Sequence, residues 1–206
     1  FPVMARLVLV RHAPTAETGK TLYGRLPGHP LSAQGLEMAA EVAERLASVK
    51  VTAVYASPLD RAMQTAEVIA TRLRKRVLTH DGLIEVDYGK WAGRSLRSLY
   101  KLKAWRTVVT TPSRVRFPEG ESLLEAQTRM VRTCQDLADR HRNQAILAVS
   151  HADTIKMALS HYLGQPLDLC NRIAVAPASV AVIDLPEGGS PRVVTMNSNG
   201  DPTTWQ

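Results

Sequence analysis

Residues 7–14, Leu-Val-Leu-Val-Arg-His-Ala-Pro, decide the fold. Four apolar residues in a row suit a strand buried on both faces, since a half-exposed strand would alternate apolar with polar. Such strands belong to parallel sheets, and ligands of open α/β sheets bind beyond the carboxyl ends of the strands. Arg11 and His12 stand at that end, and Pro14 stops the strand. One residue can clamp an anion and the other can attack it.

The rest of the chain reads outward from this strand. Residues 19–31 are rich in Gly and Pro and form a loop on the ligand side of the sheet. Ser32 can cap a helix running to about residue 46, with Leu36, Ala40, Ala43 and Leu46 as its apolar stripe. Residues 53–56 form a second strand. Ser57-Pro58-Leu59-Asp60 then reads as a helix start, with Ser57 as cap and Pro58 at the first helical position. That helix reaches about residue 73 and turns Leu59, Met63, Ala66, Ile69 and Leu73 to the core. Arg61 lies in its first turn, near the carboxyl end of the second strand.

Residues 77–79 suit an edge strand, and residues 83–94 have neither helical nor strand period. Residues 94–116 carry seven basic residues and no acid, and read either as plain solvated surface or as a partly helical lid that steers anions and touches the substrate's non-reacting end. A capping box, Ser122 to Glu125, opens a long helix with Leu123, Met130, Cys134 and Leu137 inside. Residues 145–149 form another buried strand, which ends in Ser150-His151, and a helix follows over 153–163. Residues 179–185 and 192–196 suggest a terminal hairpin. Strands alternating with helices imply a three-layer α/β/α sandwich with a mostly parallel central sheet.

Composition bounds the rest. The 206 residues are 45% hydrophobic and 22% charged, with no low-complexity tract or internal repeat, so one domain over residues 4–206 is expected. Met4 is the expected natural start, with residues 1–3 an expression remnant. No apolar run approaches the ~18 residues of a membrane span, and the start lacks a signal-peptide pattern. Cys134 and Cys170 have no metal-ligand spacing, which fits a reducing, cytoplasmic home. The net charge of +7 admits nucleic acid or a phosphorylated small molecule as partner. With 5% aromatics and no RNA-binding or zinc-finger pattern, the small anion is favoured.

Three strand ends deliver chemistry to one edge: Arg11-His12, Arg61 and His151, with Glu85 following in an irregular loop. Two guanidiniums can grip a phosphate bidentately. Their charge disfavours imidazolium, leaving His12 neutral and nucleophilic, able to take a phosphoryl group. Its equatorial oxygens would rest on Arg11, Arg61 and His151, and Glu85 could protonate the leaving alkoxide. Three rival readings are weaker. Gly19-Lys20-Thr21 matches the tail of a P-loop, with residues 180–184 as the magnesium strand, but its first glycine would fall at Pro14 and residues 22–30 cannot form the required helix. His12, Glu85 and His151 could ligate a metal, but two arginines in the same pocket oppose a cation. A non-catalytic phosphate-ligand-binding protein would not need every group that phosphoryl transfer uses.

At these residues the chain resembles the histidine phosphatase superfamily, which includes the cofactor-dependent phosphoglycerate mutases. Arg11-His12-Ala13 with Thr15 is similar to its Arg-His-Gly opening. Further blocks follow in family order: Tyr23-Gly24 with residues 30–35, residues 57–62 with Thr65-Ala66, residues 83–85 with Gly89, Trp91 and Gly93, Gly120-Glu121-Ser122, and Val149-Ser150-His151. Residues 85–89 and 150–156 are most similar to a branch described as phosphomutase or phosphatase. The resemblance implies a phosphoglycerate mutase-like fold and a metal-independent phosphohistidine enzyme. His12 is then the nucleophile, Glu85 the proton donor, and Arg11, Arg61 and His151 complete the phosphate pocket. Thr15, Thr18, Tyr23, Gly24, Tyr88 and Ala152 fall at substrate-contacting positions. A homodimer is a family-level expectation.

Departures from the pattern favour phosphatase over mutase. Ala13 and Ala152 stand where Gly is usual, with backbone N–H groups still available to phosphate. Thr18 replaces a frequent Asn, and Asp153 replaces the Asn of the mutases. The segment after Tyr88 is shorter than the mutase insertion, and no adjacent Arg-Arg pair awaits a substrate carboxylate. The reading is a phosphomonoester hydrolase acting on a small phosphorylated metabolite, without a cofactor. Phosphoglycerate mutase is the alternative, and only it would need 2,3-bisphosphoglycerate priming.

Overall fold

The computed structural model describes residues 4–205. The expected remnant over residues 1–3, and residue 206 of the expected domain, lie outside them. Strand β1 (Met4–Arg11) sends Val8 and Val10 to one face of the sheet and Leu7 and Leu9 to the other, all without solvent exposure. That two-sided burial is why the strand is continuously apolar. The sheet also contains β3 (Val51–Ala56), β4 (Val77–Thr79), β6 (Ala145–Ser150), β7 (Val180–Pro186) and β8 (Arg192–Ser198), in the order β4-β3-β6-β1-β7-β8. The first four in that order run parallel; β7 and β8 form the expected antiparallel hairpin.

Helices α1 (Ala33–Arg45) and α2 (Asp60–Leu73) cover the Val8/Val10 face. Helices α5 (Leu123–Arg140) and α6 (Ala152–Tyr162) cover the Leu7/Leu9 face, giving the three expected layers. The Ser122 capping box is formed in full, and Cys134 is buried in the α5 stripe. A third apolar cluster lies beyond the carboxyl ends of the strands. It gathers Tyr88, Trp91, Phe117 and Met157 with helices α3 (Leu96–Leu99) and α4 (Lys103–Thr110). A short ribbon, β2 (Thr21–Leu22) against β5 (Arg94–Ser95), ties the first ligand-side loop to it.

Two helix readings need correction. The inner stripe of α1 is Gly35, Ala39, Val42 and Ala43, continued by Leu46, while Leu36 and Ala40 face solvent. Gly35 sets this phase: a Cβ there would lie 2.1 Å from the Pro14 carbonyl oxygen, so the helix leans on the β1 exit through a bare backbone. Ser57 is not the cap of α2. The helix begins two residues later than expected, at Asp60, with Leu59 as an N-cap that has no side-chain bond. The P-loop reading fails as well. Thr21 enters β2 and the next helix begins only at Ala33, and Asp184 is held by Arg6 at 2.7 Å and Arg192 at 2.8 Å.

Candidate active site

Register brings the strand ends level. Val10 lies opposite Val149 on β6, and Ala56 lies opposite the same residue from β3. Backbone bonds carry the alignment past the strands: His12 N–H donates to the Ser150 carbonyl at 2.9 Å and Ser57 N–H to the Val149 carbonyl at 3.0 Å. Around these ends lies an open cleft lined by Arg11, His12, Thr15, Thr18, Tyr23, Gly24, Arg61, Glu85, Tyr88 and Ala152. Gly19, Thr21, Leu22, Leu96 and Asp153, which the sequence did not single out as site residues, complete the lining. His151 is not in it. Its ring is fully buried behind His12, 5.1 Å away between centroids.

Two hydrogen bonds set the tautomer of His12. Nδ1 lies 2.7 Å from the carbonyl oxygen of Ala13, an acceptor only, so Nδ1 carries the proton. Arg61 Nε–H then donates to the Nε2 lone pair at 3.2 Å. Arg61 is anchored through Nη2 on the Gly24 carbonyl at 2.7 Å. Burial, then the Arg61 and Arg11 charges, hold the His12 pKa down at about 3. Desolvation, rather than the cations alone, is thus the main reason the ring is neutral. Burial and the same arginines also push His151 well below the usual histidine range.

Arg11 donates through Nη1 to the Val175 carbonyl at 2.6 Å, which fixes its head at the cleft wall. Arg11 Nε, Arg61 Nη1 and His151 Nδ1 are buried polar atoms with no hydrogen-bond partner among the described residues. Two of these are guanidinium donors, available to an anion's oxygens. Ala13 does not supply the expected N–H, because that group donates to Thr65 Oγ1 at 3.0 Å. Ala152 opens α6, so its N–H is one of the first-turn donors that helical bonding leaves over. Thr18 Oγ1 receives the Thr15 N–H at 2.8 Å and lies 3.0 Å from Thr15 Oγ1, which shapes the cleft's loop wall.

Glu85 is buried, and its Oε1 accepts from the Val86 N–H at 3.0 Å. Desolvation and the neighbouring Asp153 charge raise its pKa to about 7, against the lowering pull of Val86 N–H, Arg61 and Arg11. A carboxyl that keeps its proton near neutrality can act as an acid. Its backbone is clamped: Arg25 Nε donates to the Glu85 carbonyl at 2.9 Å, and Arg129 Nη1 to the Gly82 and Ile84 carbonyls at 2.9 and 2.7 Å. The nearby basic residues do not pair with Glu85: Lys90 pairs with Glu119, and Arg94 faces solvent.

Sequence reasoning missed two groups. Ser57 Oγ lies 2.7 Å from His151 Nε2 and fixes that ring, a use visible only once the β3 and β6 ends are side by side. Asp153 and Lys156 form the second group. Asp153 Oδ2 accepts from Tyr88 O–H at 2.5 Å, and Oδ1 accepts from Lys156 Nζ at 3.0 Å. Burial pushes Asp153 up, but Lys156 and the Tyr88 hydroxyl prevail, so it is anionic. The i, i+3 spacing on α6 was the available signal. Among the described residues, no group of three or more His, Cys, Asp or Glu side chains is placed to hold a metal ion.

Fold and cleft together define a phosphoryl-transfer site built on a buried neutral histidine between two guanidiniums. The family model of the histidine phosphatase superfamily (branch 1) matches residues 7–199, and the chain belongs to that family. It is 31% identical over 186 residues to phosphoserine phosphatase 1 of Hydrogenobacter thermophilus, covering 89% of this chain and 88% of that one. It is 34% identical over 189 residues to "Probable phosphoglycerate mutase GpmB" of Proteus mirabilis, covering 88% and 85%. The solved structure of Bacillus stearothermophilus YhfR superposes with a TM-score of 0.87 at 25% identity, over 98% of this chain and 100% of that one.

Proposed function

We propose that the protein hydrolyses small phosphomonoesters through a phosphohistidine intermediate. The observation that carries this is the His12 ring, which lines the cleft: Nδ1–H is spent on Ala13, which leaves the lone pair on Nε2, where it receives Arg61 Nε–H at 3.2 Å. Nε2 attacks phosphorus as Arg61 Nε–H turns from the nitrogen to a phosphoryl oxygen. The P–O ester bond breaks, its electron pair leaves on the alcohol oxygen, and the Glu85 carboxyl supplies the proton. Arg11, Arg61 and the Ala152 N–H hold the equatorial oxygens, and His151 backs the pocket. Water then attacks phosphorus. The P–N bond breaks, Nε2 regains its lone pair, and Glu85 takes the water proton, which releases inorganic phosphate.

This route needs no metal and no organic cofactor; 2,3-bisphosphoglycerate belongs only to the mutase alternative. The name of the Hydrogenobacter relative supports hydrolysis, and that of the Proteus relative supports isomerisation. Both cysteines are buried and unpaired, which supports a cytoplasmic location, and no helix among the described residues could cross a membrane. Family membership alone supports a homodimer, which light scattering tests.

The test is phosphate release from a panel of monoesters by wild type and His12→Ala, with and without EDTA, alongside 3-phosphoglycerate isomerisation. EDTA-resistant release that vanishes with His12, and an acid-labile phosphohistidine in the quenched enzyme, are expected. Isomerisation without net release would replace the phosphatase by the mutase. Turnover that survives loss of His12 would reject the mechanism.

A further inference from the structure

Beside the phosphate cleft, and sharing Leu22, Tyr88 and Asp153 with it, lies a second, small cavity that opens to solvent. Its walls are mainly apolar: Trp105 and Val108 of α4, then Phe117, Leu123 and Met157. Glu85 lines the same cleft and is near enough to Tyr88 and Asp153, which border both spaces, for their charges to act on one another. The ester oxygen that Glu85 protonates therefore carries its organic group toward this cavity.

The polar groups in the cavity wall are already committed to one another. Lys156 Nζ donates to Asp153 at 3.0 Å and to Asn171 Oδ1 at 3.4 Å. Asn171 Nδ2 donates to the Val108 and Val109 carbonyls at 2.9 and 3.3 Å. The second Asp153 oxygen is taken by Tyr88. Lys156 is the cavity's only lining cation among the described residues, and Asp153 cancels its charge. The seven basic residues of 94–116 are all exposed and line neither space. A carboxylate carried into this cavity would lose its water for at most the third N–H of Lys156, whose charge Asp153 already balances, and an ammonium would meet no uncommitted anion there. An apolar group would meet apolar walls.

We propose that this cavity is the leaving-group subsite and that it selects an uncharged, apolar alcohol moiety over the carboxylate-bearing body of a phosphoglycerate or phosphoserine. The proposal rests on the phosphomonoester reading of the cleft and deepens it.

Linear alkyl phosphates test it, because their leaving-group chemistry is nearly constant while their apolar length grows. From propyl to hexyl phosphate, kcat/KM rises about three- to fourfold per methylene. A hexyl chain ending in a carboxylate is at least about tenfold poorer than hexyl phosphate. Val108→Asp abolishes the length dependence and lowers hexyl phosphate turnover at least about tenfold. Equilibrium binding of the matching alkylphosphonates, which cannot be hydrolysed, reads the cavity without turnover, and affinity climbs with length. A flat length series in both assays, or 3-phosphoglycerate or phosphoserine exceeding hexyl phosphate, overturns the proposal. Length-dependent phosphonate binding without turnover of any ester keeps the subsite and rejects the phosphatase reading instead. Turnover without length dependence does the reverse.

Discussion

Glu121 lies at the centre of the clamp that carries the proposed acid, and Glu121→Gln tests whether that clamp is catalytic in effect. Its Oε1 forms an ion pair with Arg25 Nη2 at 3.0 Å and accepts from Arg129 Nη2 at 2.7 Å and from the Asp87 N–H at 3.1 Å. Those arginines in turn hold the carbonyls of Gly82, Ile84 and Glu85. The glutamine keeps the shape and removes the charge. The ion pair with Arg25 is then lost and the charge-assisted bond from Arg129 becomes a neutral-acceptor bond, at about 1 kcal/mol each. The Arg25 side chain is 32% exposed and that of Arg129 22%, so solvent screening holds the total near about 2 kcal/mol. For a chain of this size that is a fall of roughly 4–8 °C in Tm. A loosened Glu85 loop should cost about 30- to 100-fold in kcat/KM for alkyl phosphates, part of the ~10²- to 10⁴-fold that an acid supplies. For p-nitrophenyl phosphate, whose leaving oxygen needs no proton, the loss should stay within about threefold. Steady-state assays of both esters on protein shown folded by its melting curve decide the matter. Equal losses on the two esters would refute the positioning role and leave Glu121 as a plain structural ion pair.

Three further outcomes follow from the same geometry. Asp153→Asn removes the charge that helps keep Glu85 protonated and leaves Lys156 uncompensated, so both changes lower the Glu85 pKa from about 7. The alkaline limb of the kcat/KM profile on an alkyl phosphate should move to lower pH. The folded-state pKa of His12, about 3, lies below its ordinary 6.5, so its stability contribution is complete above pH 6.5 and is lost as pH falls through 3. His12→Gln should therefore lose on the order of 3 kcal/mol less than wild type between pH 7 and pH 4, read by denaturant melts at each pH. Gly35→Ala places a Cβ 2.1 Å from the Pro14 carbonyl oxygen, a clash with backbone that only a shift of α1 relieves. It should destabilise by about 2 kcal/mol or more, seen as a lower denaturant midpoint.

The two buried central strands were legible because burial on both faces leaves an unbroken apolar run, and β1 and β6 show one each, whereas the strand order was not read from the sequence. Capping was legible where the box had both partners, at Ser122 and Glu125. At Ser57 the same local pattern misled, since a serine hydroxyl serves equally well as a cap or as a partner for a histidine ring. His151, nearly a hundred residues away in sequence, takes it. The phase of α1 failed for a related reason. Hydrophobicity places Leu36 inward, but Gly35 allows an approach to Pro14 that no scale of side-chain preference can register.

The segment 94–116 shows most clearly what composition conceals. Seven basic residues without an acid suggest a lid that meets an anionic substrate with charge. Charge is additive along a sequence, but a site feels only the charges that face it. Within α4, Lys103 and Arg106 point to solvent, while Trp105 and Val108, three residues apart, share the face that lines the cavity. Trp105 stacks on the buried Trp91 at 6.1 Å, which holds that face inward. The basic residues can therefore raise the local concentration of phosphate esters from outside, an effect that salt screens within about 10 Å. They line neither the cleft nor the apolar cavity, so the proposed subsite leaves the choice among those esters to the apolar face. Steering and selection are separated across the thickness of one short helix: added salt should lower kcat/KM for all esters alike, while their rank order should follow the apolar face.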